Sequence, residues 1–417
     1  MLTRFHILHL LLFLLSVPSH SQNFNDYFDD ATLRVDYTLA GDASSQSIYF
    51  NSLSSYSHWY GRRYHLSTAP VHGNAQIEVA DASSGQIIYV NGFSSLFQEW
   101  QSYDEAQHVA RAFEGVALVP MPLKPVKVTI RLFDSHIRVS AEVSRIVDPS
   151  DILIRKYVSA NPYEVFMRPA DDANCIRLAI IAEGYTEQEM SSFITRAREA
   201  TNSIFSHSPF EELADKFQVV AVKTVSPESG VSVPSKGNWV NNMLGSHFDS
   251  FYAERYLTTL NIRKLHDALS GVPYEHIIIL ANANTYGGGG VLNFYTIASA
   301  YGSAFRSVIV HEFGHAFAGL ADEYAYEGDT PPMYPLSVEP WEDNITTLVN
   351  FSAKWQDLCN SSSPCGEVGL YEGAGYSLKG IFRPTPNCRM HDNQTADFCP
   401  VCQRAIRRVI ECCTSPD

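Results

Sequence analysis

Residues 308–324 of this chain read Val308-Ile-Val-His311-Glu312-Phe-Gly-His315-Ala-Phe-Ala-Gly319-Leu-Ala-Asp322-Glu323-Tyr324, and they decide how the fold is interpreted. The pattern H-E-x-x-H lies inside an apolar run that is typical of a helix. Side chains four residues apart on a helix share one face, so His311 and His315 can bind one metal ion. Glu312 then lies beside that ion without binding it, where it can take a proton from a zinc-bound water. The pattern predicts a catalytic site with one zinc ion.

A plainer interpretation competes with the metal site. Two histidines at helical spacing can be ordinary core or surface residues, and so short a motif also arises by chance. The uncharged flank Val308–Val310 indicates a buried helix, where unpaired polar side chains would be costly. The small residues Gly314 and Ala316 leave room for a substrate or a packed strand. These features favour the metal site.

The third protein ligand must come from beyond the helix. Asp322 lies seven residues after His315, which on a continuous helix is about 10 Å further along the axis, whereas a zinc–ligand bond is about 2 Å. The helix must therefore end, and Gly319 can adopt the left-handed conformation that ends many helices. We expect Asp322 to bind the ion, because a short side chain on a tight return loop is a rigid ligand. Glu323 is the rival, and Asp322 would then orient a histidine.

The motif and several other segments resemble one peptidase family. His311–Tyr324 is similar to the motif of the IgA peptidase family, zinc metallopeptidases first named for clostridial enzymes that cut immunoglobulin A. The resemblance covers the chain from about Ile176 to its end and includes further segments: Leu178–Thr186, Gly287–Gly290, Cys388–Met390 and Phe398–Cys402. It implies a zincin fold of the metzincin type, in which a methionine turn lies beneath the metal site, and Met390 is the matching position. The chain departs from the metzincin pattern H-E-x-x-H-x-x-G-x-x-H, because its glycine comes one residue later and a carboxylate replaces the third histidine.

The N-terminus has the features of an export signal. Arg4 precedes a short apolar run over residues 6–15, and Ser19-His-Ser21 supplies a small-residue exit. This order is typical of a secretory signal peptide, predicted here over residues 1–21. The apolar run is well short of the roughly twenty residues of a membrane anchor, and no later segment is long and apolar enough to span a membrane. We expect an exported protein that is periplasmic, surface-located or secreted.

Seven of the eight cysteines follow the predicted zinc helix, and Cys175 alone precedes it. In an exported chain disulfides are the default expectation, with a pairing that spacing does not fix. The alternative is a structural zinc ion bound by Cys399, Cys402 and two other ligands. A thioredoxin-like role for this C-x-x-C is disfavoured, because no βαβ pattern surrounds it.

The pattern of the chain changes between residues 150 and 175. Residues 22–155 carry alternating strand signals, including hairpins over 77–89 and 126–143, with a helical insertion predicted over 104–113. They predict an accessory β-sandwich, joined by a linker over residues 156–174 to a catalytic domain over residues 175–417. The predicted fold is thus a multidomain α+β or α/β chain, an N-terminal β-sandwich followed by a metzincin-like zincin domain.

The catalytic part alternates strands with helices. The predicted elements are strands over residues 176–182, 217–225 and 276–280, a helix opened by the capping box Thr186–Glu189 and ending near 205, and a helix over 251–269. The glycine run 287–290 is expected to be a flexible rim. Residues 291–297 are the candidate edge strand for an extended substrate.

The charge of the chain bears on its partners. The formal net charge is −15 at pH 7 and no basic run is present, which argues against nucleic-acid binding. The expected partner is a protein or peptide substrate, and the oligomeric state is left open.

The predicted activity is zinc-assisted hydrolysis of a peptide bond. Zinc held by His311, His315 and Asp322 would activate water, and Glu312 would be the general base. Tyr324 is either a donor to the oxyanion or a packing residue. Two alternatives remain, a surface or glycan-binding protein that keeps zinc for structure and a zinc amidase acting on cell-wall material.

Overall fold

The structure is a computed structural model that describes residues 22–157, 161–325 and 333–416. The predicted signal peptide, residues 1–21, lies outside these residues. Within the part described, no helix is both long enough and apolar enough to cross a membrane. The chain is rich in β-structure, with few helices.

The N-terminal part consists of two four-stranded sheets and one short helix. Its elements are β1 (Phe28–Gly41), β2 (Gln46–Tyr56), β3 (Ala75–Asp81), β4 (Ile87–Phe93), α1 (Leu96–Trp100), β5 (Arg111–Pro122), β6 (Val126–Phe133), β7 (Val139–Val147) and β8 (Arg155–Lys156). The strand orders are β5-β1-β2-β8 and β4-β3-β6-β7. Residues from both sheets, among them Val35 of β1 and Val128 of β6, are fully buried in a common core. The β-rich N-terminal part and its two predicted hairpins are confirmed.

One N-terminal prediction is wrong. Residues 104–113 do not form a helix, because only Asp104–Gln107 make a 3-10 turn and β5 begins at Arg111. Phe113 pairs with Leu39 of β1 and packs on Trp100 and Phe251. The pairing with β1 and these aromatic contacts outweigh the local preference for helix.

The second part is built on a six-stranded sheet. Its elements are β9 (Tyr163–Met167), β10 (Ile176–Glu183), α2 (Met190–Ile204), β11 (Phe217–Val222), α3 (Ile262–Ala268), β12 (His276–Ala281), β13 (Gly288–Val291), β14 (Tyr295–Ser299) and α4 (Phe305–Ala318). The order is β13-β14-β12-β10-β11-β9, with four parallel central strands and an antiparallel strand at each edge. All residues of β10 and β12 are buried, as expected for parallel strands covered on both faces.

Several boundaries differ from those predicted. β9 lies within residues 156–174, so part of the expected linker is a strand of this sheet. The helix predicted over 251–269 is confined to α3, because Phe251 and Tyr252 adopt positive φ angles of 53° and 64°. The edge strand is β13 rather than residues 291–297. The capping box at Thr186 and Glu189 is confirmed.

The C-terminal residues complete the surroundings of α4. They form β15 (Ser362–Ser363), β16 (Gly366–Glu367), β17 (Tyr371–Ala374), β18 (Ser377–Arg383) and α5 (Pro400–Thr414). Helix α4 packs against β13 and β14 on one side and against α2 and α5 on others. Ile309, Val310 and Phe313 are consequently buried. The helix that carries H-E-x-x-H is therefore an element of the core.

Candidate metal centre

Helix α4 ends where the sequence predicts. Gly319 follows the last helical residue in the left-handed conformation, with φ of 62°. Its N–H donates to the carbonyl oxygen of His315 at 3.0 Å. A Cβ at this position would lie 2.6 Å from the ring of Trp341 and 2.8 Å from Val71, so the turn also requires a residue without a side chain. The chain then returns along the helix and carries Asp322 back toward the histidines.

Three donor atoms meet at the end of this return. The Nε2 atoms of His311 and His315 are 3.0 Å apart, and Oδ1 of Asp322 lies 3.0 Å from the first and 3.3 Å from the second. Bonds of about 2.0–2.1 Å to one tetrahedral ion would separate such donors by about 3.3 Å. The triangle of donor atoms therefore fits one small metal ion.

The hydrogen bonds behind these donors fix their orientation. The carbonyl oxygen of Arg389 lies 3.0 Å from Nδ1 of His311, and that of Leu320 accepts from Nδ1 of His315. Each Nδ1 therefore carries a proton, which leaves both Nε2 lone pairs directed at the centre of the triangle. Oδ2 of Asp322 accepts a hydrogen bond from the hydroxyl of Tyr376, whereas its buried Oδ1 has no hydrogen-bond donor among the described residues.

The site favours positive charge. Burial alone would lower the pKa of His315, but the carboxylate of Asp322 beside it raises that pKa to about 9. Two imidazoles and one carboxylate facing each other are stable only with a cation or a bound proton between them. The arrangement therefore fits the cation that the H-E-x-x-H pattern predicts.

Glu312 lies next to the triangle and against strand β13. A Cβ on Gly288 would be 3.2 Å from Oε1 of Glu312, and one on Gly290 would be 2.1 Å from its carbonyl oxygen. The glycine run is therefore a strand packed closely on α4, and the prediction of a flexible rim is wrong. Burial raises the pKa of Glu312.

Met390 lies beneath the helix. It is fully buried, and its sulfur is 2.9 Å from the position of a Cβ on Gly314. Its carbonyl oxygen accepts from the N–H of Glu323 at 2.9 Å, next to the Arg389 carbonyl that orients His311. The main chain at 389–390 thus holds both the helix and the return loop.

The two candidates for third ligand take different directions. Asp322 faces the histidines, whereas Glu323 is fully buried beside Cys388, Cys399 and Cys402. No cysteine of the described residues forms a disulfide, so the predicted disulfides are not found. The Sγ atoms of Cys388 and Cys402 are 3.7 Å apart, well beyond the bond of about 2.05 Å in a disulfide.

Tyr324, the predicted oxyanion donor, lies beside the triangle. Its ring is nearly parallel to that of His311, with centroids 6.5 Å apart. Burial, together with the charges of Asp322 and Glu312, raises the pKa of Tyr324 far above its usual value, which keeps the hydroxyl protonated.

Sequence reasoning missed two residues near the site. Tyr376 reaches Asp322 because the main chain at 375–376 pairs with the return loop, a contact across more than fifty residues that no local pattern reveals. Glu99 of α1 accepts a hydrogen bond from Tyr256 at 2.6 Å, and burial raises the pKa of Glu99 to about 7. Glu99 lies close enough to Glu312 for their charges to interact, so the N-terminal part borders the site.

Comparison with known proteins agrees with this geometry. The family model described as IgA Peptidase M64 matches residues 166–366 and 361–410, and the model described as Peptidase M64 N-terminus matches residues 23–144. No curated protein shows a significant match to the chain. The first family model alone covers more than half of the sequence, and the residues that it matches include α4, the return loop and Met390. The chain therefore belongs to the IgA peptidase M64 family.

Proposed function

We propose that the chain is an exported zinc-dependent endopeptidase whose catalytic ion is bound by His311, His315 and Asp322. The observation that carries the proposal is the triangle of donor atoms, 3.0–3.3 Å apart, with Glu312 beside it. Three protein ligands leave a coordination position for water or substrate, the composition of a catalytic rather than a structural zinc site. Zinc bound there would supply Lewis-acid chemistry, polarising the scissile carbonyl and lowering the pKa of a bound water to about 7.

The proton transfers are assigned to Glu312. Its carboxylate accepts a proton from the attacking water and delivers it to the leaving amine. Burial raises the pKa of this carboxyl, which brings its basicity closer to that needed near neutral pH. The close packing of Gly288 against the side chain restricts its movement. Glu312 thus acts as base and then as acid within one reaction.

Two tyrosines have separate proposed roles. Tyr376 orients Asp322 through the hydrogen bond that it donates to Oδ2. Tyr324 keeps its proton and lies beside His311, which suits a donor to the oxyanion that develops on the substrate. We assign that role to Tyr324.

We further propose a zincin fold for the catalytic domain, and an N-terminal accessory domain that ends near residue 155. The antiparallel edge strand β13 beside α4 and the buried Met390 beneath it support the zincin assignment. The position of Glu99 near Glu312 supports a role for the accessory domain in bounding the substrate cleft. The apolar N-terminal run supports export, with extracellular protein as the substrate class.

Cleavage of a diverse protein and peptide panel, immunoglobulin A included, tests the proposal. The wild-type protein is compared with Glu312→Ala, with Glu312→Gln and with Glu187→Ala, which removes an exposed glutamate elsewhere. Both Glu312 variants should retain zinc and lose cleavage, and Glu187→Ala should cleave normally. Cleavage by Glu312→Ala would show that the base is wrongly assigned. A folded, zinc-loaded wild type that cuts nothing would favour a binding role or a non-peptide amide substrate.

A further inference from the structure

A second cluster of metal-binding side chains lies behind the return loop. It consists of Glu323, Cys388, Cys399 and Cys402, whose ligand atoms all lie within 4.8 Å of one another. All four residues are fully buried. The Sγ atom of Cys402 is 3.7 Å from that of Cys388 and 3.1 Å from Oε1 of Glu323. Four soft or anionic ligands therefore surround one point in the core.

The carboxylate of Glu323 is incompletely satisfied by the protein. Oε1 accepts a hydrogen bond from the side-chain amide of Asn344 at 2.9 Å, whereas the buried Oε2 accepts none within the described residues. An isolated carboxylate in the core is costly unless a cation neutralises it. A glutamate among three cysteines is thus unexplained by packing alone.

The start of helix α5 is built to favour thiolates. Cys399 is the residue before the first helical turn and Pro400 opens that turn, so the C-x-x-C spacing brings Cys399 and Cys402 together at the positive end of the helix dipole. The main-chain N–H of Cys399 also points at Sγ of Cys388, at 3.3 Å. Both features stabilise negative charge on sulfur, the form that binds metal.

We propose that Glu323, Cys388, Cys399 and Cys402 bind a structural zinc ion. Zinc–sulfur bonds of about 2.3 Å in a tetrahedron separate two sulfurs by about 3.8 Å, close to the 3.7 Å between Cys388 and Cys402. A disulfide would use only two of the three sulfurs and leave the glutamate buried without a cation. Four-coordinate tetrahedral sites rich in thiolates are typical of structural zinc.

The ion would join three segments that build the neighbouring site. Glu323 follows Asp322 directly, and Cys388 precedes Met390 by two residues, while Cys399 and Cys402 begin α5. Four protein ligands leave no position for substrate, so this ion stabilises the fold and positions Asp322. The inference does not depend on peptidase activity.

The decisive experiment measures the number of zinc ions per chain in the mature protein by inductively coupled plasma mass spectrometry. We expect two ions in the wild type and in Cys359→Ser, which changes a cysteine outside the cluster. We expect one ion in His311→Ala and one in the double variant Cys399→Ser/Cys402→Ser. Because the cysteine variant can fail to fold, the second measurement is made on the His311→Ala protein. Its remaining zinc should show sulfur neighbours at about 2.3 Å by X-ray absorption. Cobalt in its place should show a thiolate charge-transfer band.

Three results would overturn the inference. A folded His311→Ala protein that holds no zinc would mean that the cysteine cluster binds none. Zinc with only nitrogen and oxygen neighbours would place the ion elsewhere. A disulfide between two of the three cysteines, detected by non-reducing mass spectrometry, would show that those two sulfurs do not bind a metal ion. A protein that cleaves no peptide yet holds sulfur-bound zinc would refute the proposed function and leave this inference standing.

Discussion

Asp322 and Glu323 are consecutive residues whose side chains enter two clusters of different design. The Asp322 cluster has two imidazoles and one carboxylate, with His315 and Glu312 only partly buried. The Glu323 cluster has three thiols and one carboxylate, all fully buried. Three protein ligands beside a general base are typical of a catalytic zinc site, because one coordination position stays open. Four protein ligands are typical of a structural zinc site. The comparison shows that a single peptide unit in the return loop couples a proposed reactive centre to a proposed structural one.

Removal of metal by a chelator should separate the two clusters most completely. The partly exposed ion at His311 should leave first, because a chelator can approach its open position. We expect complete loss of peptidase activity at a chelator concentration that leaves one sulfur-bound zinc and the folded state intact. Parallel assays of cleavage, zinc content and circular dichroism check this order. Loss of fold and activity at the same chelator concentration would show that the clusters do not differ in access.

Replacement of Asp322 or Glu323 by alanine should affect different properties. The first change should lower activity, and the second should lower stability. Asp322→Ala should lower kcat/KM beyond the roughly 100-fold that loss of an outer-shell partner causes, because it removes a direct ligand. Glu323→Ala should instead lower the midpoint of thermal unfolding, through loss of a structural ion. Without an ion, Glu323→Ala would lower Tm only through the cavity that it leaves, and the isosteric change Glu323→Gln would leave Tm nearly unchanged or raised. The effect of Glu323→Gln on Tm therefore discriminates between the two states, because a marked decrease requires the loss of a bound ion.

Loss of the hydroxyl of Tyr376 should have an intermediate effect. Tyr376→Phe removes the donor to Oδ2 of Asp322, and we expect zinc affinity at the Asp322 cluster to fall about 10–100-fold. The matched change Tyr324→Phe should lower kcat more than it lowers that affinity, since the hydroxyl is proposed to donate to the oxyanion that develops during the reaction. Competition with a chromophoric chelator measures the affinities. Equal losses of affinity in both variants would contradict the division of roles.

Much of the Asp322 cluster was predictable, because local rules govern it. Helical periodicity aligned His311 with His315, and the reach of a zinc bond required the helix to end, which Gly319 allows. The same reasoning favoured Asp322 over Glu323, and the structure brings Asp322 to the histidines. These steps depend on spacing within fourteen residues.

The Glu323 cluster was only an alternative in the sequence, for a physical reason. Its ligands come from three segments, and Glu323 is separated from Cys402 by 79 residues. A single C-x-x-C does not reveal distant partners, and the predicted export favoured disulfides. The helix predicted over residues 251–269 is absent before Ile262 for a similar reason. Tertiary contacts such as that between Phe251 and Phe113 override the local periodicity there.

The smallest expected effect concerns Met390, which lies between the clusters. Met390→Leu keeps the side-chain volume, and we expect a loss of less than about 1.5 kcal/mol in the free energy of unfolding. Zinc should remain at both clusters, because the positioning bonds come from the main chain, through the carbonyl oxygens of Arg389 and Met390. Denaturant unfolding and zinc content measure the two quantities. If the leucine variant lost zinc from the Asp322 cluster, the thioether of Met390 would itself be needed beneath Gly314. The link between the clusters would then include that side chain as well as the backbone.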